Sequence, residues 1–325
     1  MRMWIERLMV GVVALFIAGA VAAPPAFAWD DFGHMLVAYV AYQNLTPPTK
    51  ARANALIKMN PRYRTWQRWV PAGTSKADRD MMLFMIAATW ADQIKSLGGY
   101  TTDGDHGGNR PEGSPDPSGN HGYSDKLRHK YWHFVDTPFT EDGSTLPSIP
   151  VPNAGERIAL FRGVLGSNAK DTLKSYDLVW LLHLVGDVHQ PLHCATRVSA
   201  AFPEGDDGGN GVKLSCDECP SNLHAYWDDL AGTSSSVQNA IEPVIEAGKT
   251  LAKADPTMAA KSDEKEWIAE SFQATKATVY QPPIGAGAGP FAPTNTYAAA
   301  AETVARERIA LAGARLARLL NMELK

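Results

Sequence analysis

The chain has 325 residues, 20% of them charged and 45% hydrophobic, with a formal net charge of −4. That length suits one large globular domain or two modest ones. The acidic balance excludes a broadly basic surface that tracks nucleic acid through its phosphates, so any phosphate recognition must draw on positive charge supplied locally.

The first segment reads as an export signal. Arg2 and Arg7 flank a charged start, "LMVGVVALFIAGAVAA" is apolar, and Ala26-Phe27-Ala28 fits the small-x-small cleavage pattern. The expectation is a cleaved signal peptide over 1–28, a folded domain over 29–325, and a secreted or periplasmic product. An uncleaved membrane anchor is the alternative, but the apolar run is slightly short for a span. Removing residues 1–28 takes two arginines from 31 basic residues and one glutamate from 35 acidic ones, leaving a net charge of −5.

Most of the chain beyond residue 28 predicts helix. Apolar positions at helical spacing over 78–97 predict one, with Asp78 as its N-cap. A longer apolar helix is predicted over 171–191, ended by Pro191. "NLHAYWDDL" starts another, "SDEKEWIAESFQATKATVY" has an acidic first turn, and a long amphipathic helix runs from "TNTYAAAA" to "NMEL". With no alternating strand pattern, the fold class expected is all-α, in a single mainly helical domain. Two segments, 98–125 and 199–221, are rich in Gly, Pro, Asp and Asn and read as surface loops, the first also fitting a disordered insertion. His106, His121 and His129 lie in or beside the first loop and read as solvated. The three cysteines leave their pairing open: Cys216 with Cys219, either with Cys194, or a lone CxxC on zinc that lacks a matching second half.

The chemistry concentrates in "HLVGDVHQPLH" (183–193), which holds three histidines and an aspartate in eleven residues. His183 and Asp187 are four apart and share a helix face. Burying imidazoles and a carboxylate in so apolar a helix costs several kcal/mol unless they are paired or bind metal. "NLHAYWDD" repeats the spacing with His224 and Asp228, where the bland alternative is a solvated helix pair. "YWHFVD" sets His133 between aromatics, and "TWAD" puts Asp92 near the end of an apolar helix. Each alone reads as a buried polar group with a hydrogen-bond partner. Together they form a His/Asp set nearly free of cysteine, which suits zinc at open catalytic sites.

In this order, "AWDDFGH", "WAD", "WHF", "HLVGDVHQPLH", "GGN" and "NLHAYWD" resemble the zinc-dependent single-strand nucleases of the S1/P1 type, from Trp29 to Asp228. The resemblance implies a mainly helical fold with three zinc ions. The first would take Asp92, His133, His183 and Asp187. The second would take His193, His224 and Asp228. The third would take His34, Asp187 as a bridge, and Trp29 through its amino nitrogen and carbonyl oxygen. Trp29 offers that amine only after cleavage behind Ala28, so signal removal would complete the third site. Three Zn²⁺ against three aspartates leave about +3, which lets an acidic protein attract phosphodiesters. The implied reaction is metal-assisted hydrolysis of single-stranded DNA and RNA to 5′-phosphorylated products, with 3′-nucleotides as further substrates. Asp187, Lys95 and Asn210 would serve catalysis, Lys95 and Asn210 would also hold phosphate, and Asp136 would contact a base edge. Lys95 could equally be an ordinary exposed helix residue and Asp136 a turn cap. His189 lies in the motif outside the ligand set, with a supporting role behind it. The expected state is a monomer without permanent membrane association.

A zinc-dependent phospholipase C resembles the same fold and site, but carries glutamate at the last ligand, where this chain has Asp228; "GGN" also favours the nuclease. A non-catalytic zinc-binding protein would need closed coordination, which a bridging aspartate argues against.

Overall fold

A computed structural model describes residues 29–104, 116 and 119–324. The proposed signal segment, and His106 with it, lie outside the described residues.

Twelve helices carry the fold among the described residues. They are α1 (Asp31–Asn44), α2 (Pro47–Ile57), α3 (Tyr63–Gln67), α4 (Lys76–Ala87), α5 (Trp90–Ser96), α6 (Ala154–Leu165), α7 (Asp171–Asp187), α8 (Leu223–Asp228), α9 (Val237–Thr250), α10 (Pro256–Ala259), α11 (Glu264–Ala274) and α12 (Asn295–Glu323). Two three-residue strands, β1 (Pro138–Thr140) and β2 (Thr196–Val198), pair in parallel with Pro138 opposite Thr196. The mainly helical expectation holds. No described helix is long and apolar enough to cross a membrane.

Boundaries differ from expectation in informative ways. The predicted 78–97 helix starts earlier and breaks. Ser75, not Asp78, caps it, its hydroxyl accepting the Asp78 N–H at 3.2 Å. The chain then tightens at Ala88–Thr89, where both amides bond three residues back, and resumes as α5. The predicted 171–191 helix ends at Asp187, because Gln190, preceding Pro191, is extended. Residues 188–190 form a tight turn.

Helix α7 is central. Every residue from Lys174 to Asp187 is buried, so it packs on all sides rather than on one stripe. Trp180 anchors it: its ring centroid lies 5.0 Å from that of Trp132, 5.8 Å from Trp90 and 5.5 Å from His133. Truncating such a side chain costs about 3–5 kcal/mol. A second apolar cluster gathers Phe139, Leu192, Val212, Trp227, Tyr280 and Tyr297 beneath the 199–221 segment.

That segment and the 98–125 loop are more built than their composition suggests. Asn120 donates to both carboxylate oxygens of Asp177, at 2.8 and 2.9 Å, and the Tyr123 hydroxyl lies 2.8 Å from that of Ser175. The described part of the loop is thus docked on α7. His129 is not solvated: it is fully buried, with Nδ1 2.7 Å from Asp103 and Nε2 2.7 Å from Asp125, and it stacks on Trp132 at 3.5 Å. A buried imidazole needs such partners, and here they join the two ends of the loop. His121 is exposed, as expected. Cys216 and Cys219 form a disulfide, and Cys194 is a buried free thiol.

Candidate metal centre

Three groups of potential ligands emerge, each with ligand atoms within 4.8 Å of one another: His133, His183 and Asp187; His193, His224 and Asp228; and His34, Asp92 and His183. All of these side chains are buried. Helix α7 supplies His183 and Asp187 one turn apart, α8 supplies His224 and Asp228 likewise, α1 supplies His34 and α5 supplies Asp92.

Backbone carbonyls set the imidazoles. The break between α4 and α5 leaves the Ala88 carbonyl to accept the Nδ1–H of His183 at 2.7 Å. His193 donates to the His133 carbonyl and His224 to that of Gly208, both from Nδ1 at 2.7 Å. A neutral imidazole carries one N–H, so in each ring Nε2 is left with a bare lone pair. The Nε2 atoms of His193 and His224 nonetheless face each other at 3.1 Å. Two acceptors at that distance repel, and a cation between them resolves it. His34 has no hydrogen bond at either ring nitrogen although it is fully buried, and Asp228 Oδ2 is likewise unmatched. The donor set therefore fits metal, with imidazole and carboxylate ligands of the kind zinc takes.

Asp187 faces two ways. Its Oδ2 lies 3.1 Å from His133 Nδ1 and 3.4 Å from His183 Nε2, while Oδ1 lies 3.4 Å from His34 Nε2. One carboxylate thus addresses the His133/His183 group and His34 together. Asp92 Oδ1 is 3.5 Å from His183 Nε2, which draws Asp92 toward His34 as well. Trp29 is fully buried, its indole donating to the Gly186 carbonyl at 3.2 Å.

Electrostatics favour the ligating protonation states. Burial pushes Asp187 up, but His183, His133 and His34 hold it well below the usual carboxylate range. Asp92 is held low against burial by the Lys95 ammonium and His183. Burial, then Lys95, lowers His133 to about 4, and burial lowers His193 to about 3 and also depresses His34 and His224. Two groups run the other way. Burial raises Asp228, and Asp187 with Asp92 raise His183 against the opposing effect of burial. A divalent cation among them would repel the proton from both.

Lys95 is buried and paired with Asp92 at 2.6 Å, one turn earlier on α5, rather than an exposed helix residue. Asp136 and Asn210 are half-buried, and Asn210 donates to the Asp207 carbonyl at 2.9 Å. His189 turns away from the ligand groups: Nδ1 donates to the Val185 carbonyl and Nε2 accepts from Arg315 of α12 at 2.9 Å. Gln190 is a site residue that sequence reasoning misses. Its amide donates to Asp228 Oδ1 at 2.7 Å and orients that carboxylate; its place between His189 and Pro191 is the only signal.

The centre leaves no room at Gly186. A Cβ there would lie 3.0 Å from His34 Nδ1. Gly186→Ala is expected to displace His34 and to weaken metal binding roughly tenfold or more, read by chelator competition on folded protein.

A family model described as S1/P1 Nuclease matches residues 29–325. The chain belongs to the S1/P1 nuclease family. Nuclease S1 of Aspergillus oryzae is 24% identical over 213 residues, covering 62% of this chain and 54% of that one. Endonuclease 4 of Arabidopsis thaliana is 35% identical over 68 residues, 20% of either chain, and Endonuclease 3 of the same plant is 43% identical over 53 residues, 16% of either chain. The matched stretch thus spans about half the fungal relative and a fifth or less of the two plant ones. In this S1/P1 chain the family match begins at Trp29, the first described residue.

Proposed function

We propose that this chain is an exported, monomeric zinc-dependent nuclease that hydrolyses single-stranded DNA and RNA to 5′-phosphorylated products and also dephosphorylates 3′-nucleotides. The observation that carries the reading is the pair of bare imidazole nitrogens of His193 and His224, 3.1 Å apart, beside a carboxylate, Asp187, that faces two further histidine groups. Family membership and the names of the relatives support the nuclease half. A start of the family match at Trp29 and a disulfide between Cys216 and Cys219 support export and cleavage behind Ala28, with 29–325 as one domain.

Three zinc ions would be held as the motifs imply: by Asp92, His133, His183 and Asp187; by His193, His224 and Asp228; and by His34, Asp187 and Trp29. When bound, zinc supplies Lewis acidity, which activates water near neutral pH and stabilises charge on phosphate oxygens. The chain's own groups do the rest. Asp187 holds two ligand groups in one register. The buried Lys95 ammonium sits beside Asp92 and would add positive charge for an incoming phosphate. Asn210 offers an amide for a phosphate oxygen, and Asp136 an acceptor for a base edge.

Protein beginning at Trp29 is expected to release acid-soluble 5′-nucleotides from single-stranded DNA and RNA, to stop after chelation and to recover with zinc. Silence from zinc-loaded protein would overturn the nuclease reading; turnover of phosphatidylcholine in its place would point to the lipase. Asn210→Ala is expected to keep its zinc but lose about a hundredfold in kcat, the scale for removing one charge-stabilising donor; full activity would remove Asn210 from the site.

A further inference from the structure

Beside the centre, the 206–211 turn converges on one carboxylate that belongs to none of the ligand groups. Asp206 is 1% exposed. Its Oδ1 accepts the backbone N–H of Arg197 at 2.9 Å and of Gly209 at 3.2 Å, and its Oδ2 accepts the Tyr280 hydroxyl at 2.6 Å. Its own N–H donates to the Arg197 carbonyl, and its carbonyl accepts from Gly211. Asp206 thus ties the turn to β2 on one side and to Tyr280 on the other. The Arg197 guanidinium lies over the Tyr280 ring at 4.2 Å, with Nε 3.8 Å from Asp206 and none of its three nitrogens hydrogen-bonded. It adds positive charge beneath the carboxylate without competing for its oxygens.

The turn needs such an anchor. Asp207, Gly208 and Gly209 all have positive φ, at 55°, 55° and 84°. A run of left-handed residues that includes a non-glycine is held only by its surroundings. Two site elements depend on it. The Gly208 carbonyl accepts the Nδ1–H of His224 and leaves Nε2 bare. Asn210 is held at the end of the same turn, its amide hydrogen-bonded to the Asp207 carbonyl. At Gly208 a Cβ would meet the Leu192 carbonyl at 2.7 Å, so the turn sits directly on the segment bearing His193.

We propose that Asp206 is a positioning residue of the centre. Through one turn it fixes the tautomer and aim of the metal ligand His224 and the place of Asn210. The Asn210 half rests on the nuclease reading; the His224 half does not.

The test compares Asp206→Ala, Asp206→Asn and Tyr280→Phe in the whole protein, reading zinc retained under a graded chelator, then kcat and KM at saturating zinc. Asp206→Ala is expected to weaken one zinc by about tenfold to a hundredfold, the scale for losing an outer hydrogen-bond partner, and to lower kcat about tenfold with little change in KM. Asp206→Asn keeps an oxygen for the two backbone amides and turns an NH₂ toward Tyr280, whose oxygen can accept; most of the loss should be rescued. Tyr280→Phe keeps the backbone bonds and should fall between, so the test survives if the alanine variant does not fold. In an Asn210→Ala background the kcat effect of Asp206→Ala should shrink to about twofold, because both act through one turn. Undiminished loss of kcat there, together with wild-type zinc retention, would overturn the proposal. If the wild type cleaves no nucleic acid, zinc retention alone decides: equal retention in Asp206→Ala and wild type sinks the inference, while selective loss of one zinc upholds its His224 half and leaves the failure with the nuclease reading.

Discussion

Replacing Asp187 with alanine is expected to cost the protein more than any other single change at the centre. Its two oxygens face different partners, Oδ2 toward His133 and His183 and Oδ1 toward His34. Alanine would remove the anion that both groups share and leave three buried imidazoles without it. Emission spectroscopy on dialysed Asp187→Ala protein should find two zinc ions fewer per chain than in the wild type. Release of nucleotides should fall by at least about a thousandfold, equivalent to roughly 4 kcal/mol of lost transition-state stabilisation. Normal zinc content would sink the assignment of Asp187 as the bridge.

The second large effect lies away from the ligands. His129→Ala would leave Asp103 and Asp125 buried without the imidazole between them, and would open the stack on Trp132. Removing one partner of such a buried set costs about 3–5 kcal/mol. The melting temperature should fall by roughly 5–10 °C. The pH dependence has a definite sign. Burial lowers His129, but Asp103 and Asp125 together raise it above its ordinary value. Its contribution is therefore complete below the unfolded value of about 6.5 and is lost as pH rises through the higher folded value. Asp103 moves oppositely: burial raises it, but His129 holds it low, so its share is present above about 3.9 and lost as acid protonates it. The gap between wild type and variant should be widest in mildly acidic buffer and narrow toward alkaline pH. An equal gap across that range would show that His129 acts by packing alone.

The centre is far more legible in the sequence than the scaffold around it. His183 with Asp187 and His224 with Asp228 sit one helical turn apart, and that spacing survives translation from sequence to space directly. Asp92 and His133 are legible only by motif, because their approach to α7 depends on tertiary packing. The break at Ala88–Thr89 carries no glycine or proline to announce it, yet it turns a carbonyl toward His183. His129 misleads because its neighbours are loop-forming residues, while its two carboxylates lie 26 residues upstream and four residues before it. Composition reports what a segment can do alone and is blind to such pairing. Helix α1 does not stand out because its buried positions run almost all round it, whereas α9 carries a readable stripe at Val237, Ala240, Ile241, Val244 and Ile245, interrupted in the sequence by Pro243. Gln190 and Asp206 act through hydrogen bonds to residues distant in sequence, which no local pattern encodes.

The turn that carries His193 is braced from the far end of the chain. His189 accepts from Arg315, and Arg308 donates to the His189 carbonyl, so α12 holds the exit of α7 in place. The proposed ligands run from residue 29 to residue 228, and their brace begins only at residue 295. A chain still growing on the ribosome has its histidines long before it has the buttress that sets them. The aim of the proposed ligands thus depends on the finished α12 brace, and truncation within α12 should yield a protein that binds zinc loosely even though every proposed ligand is present.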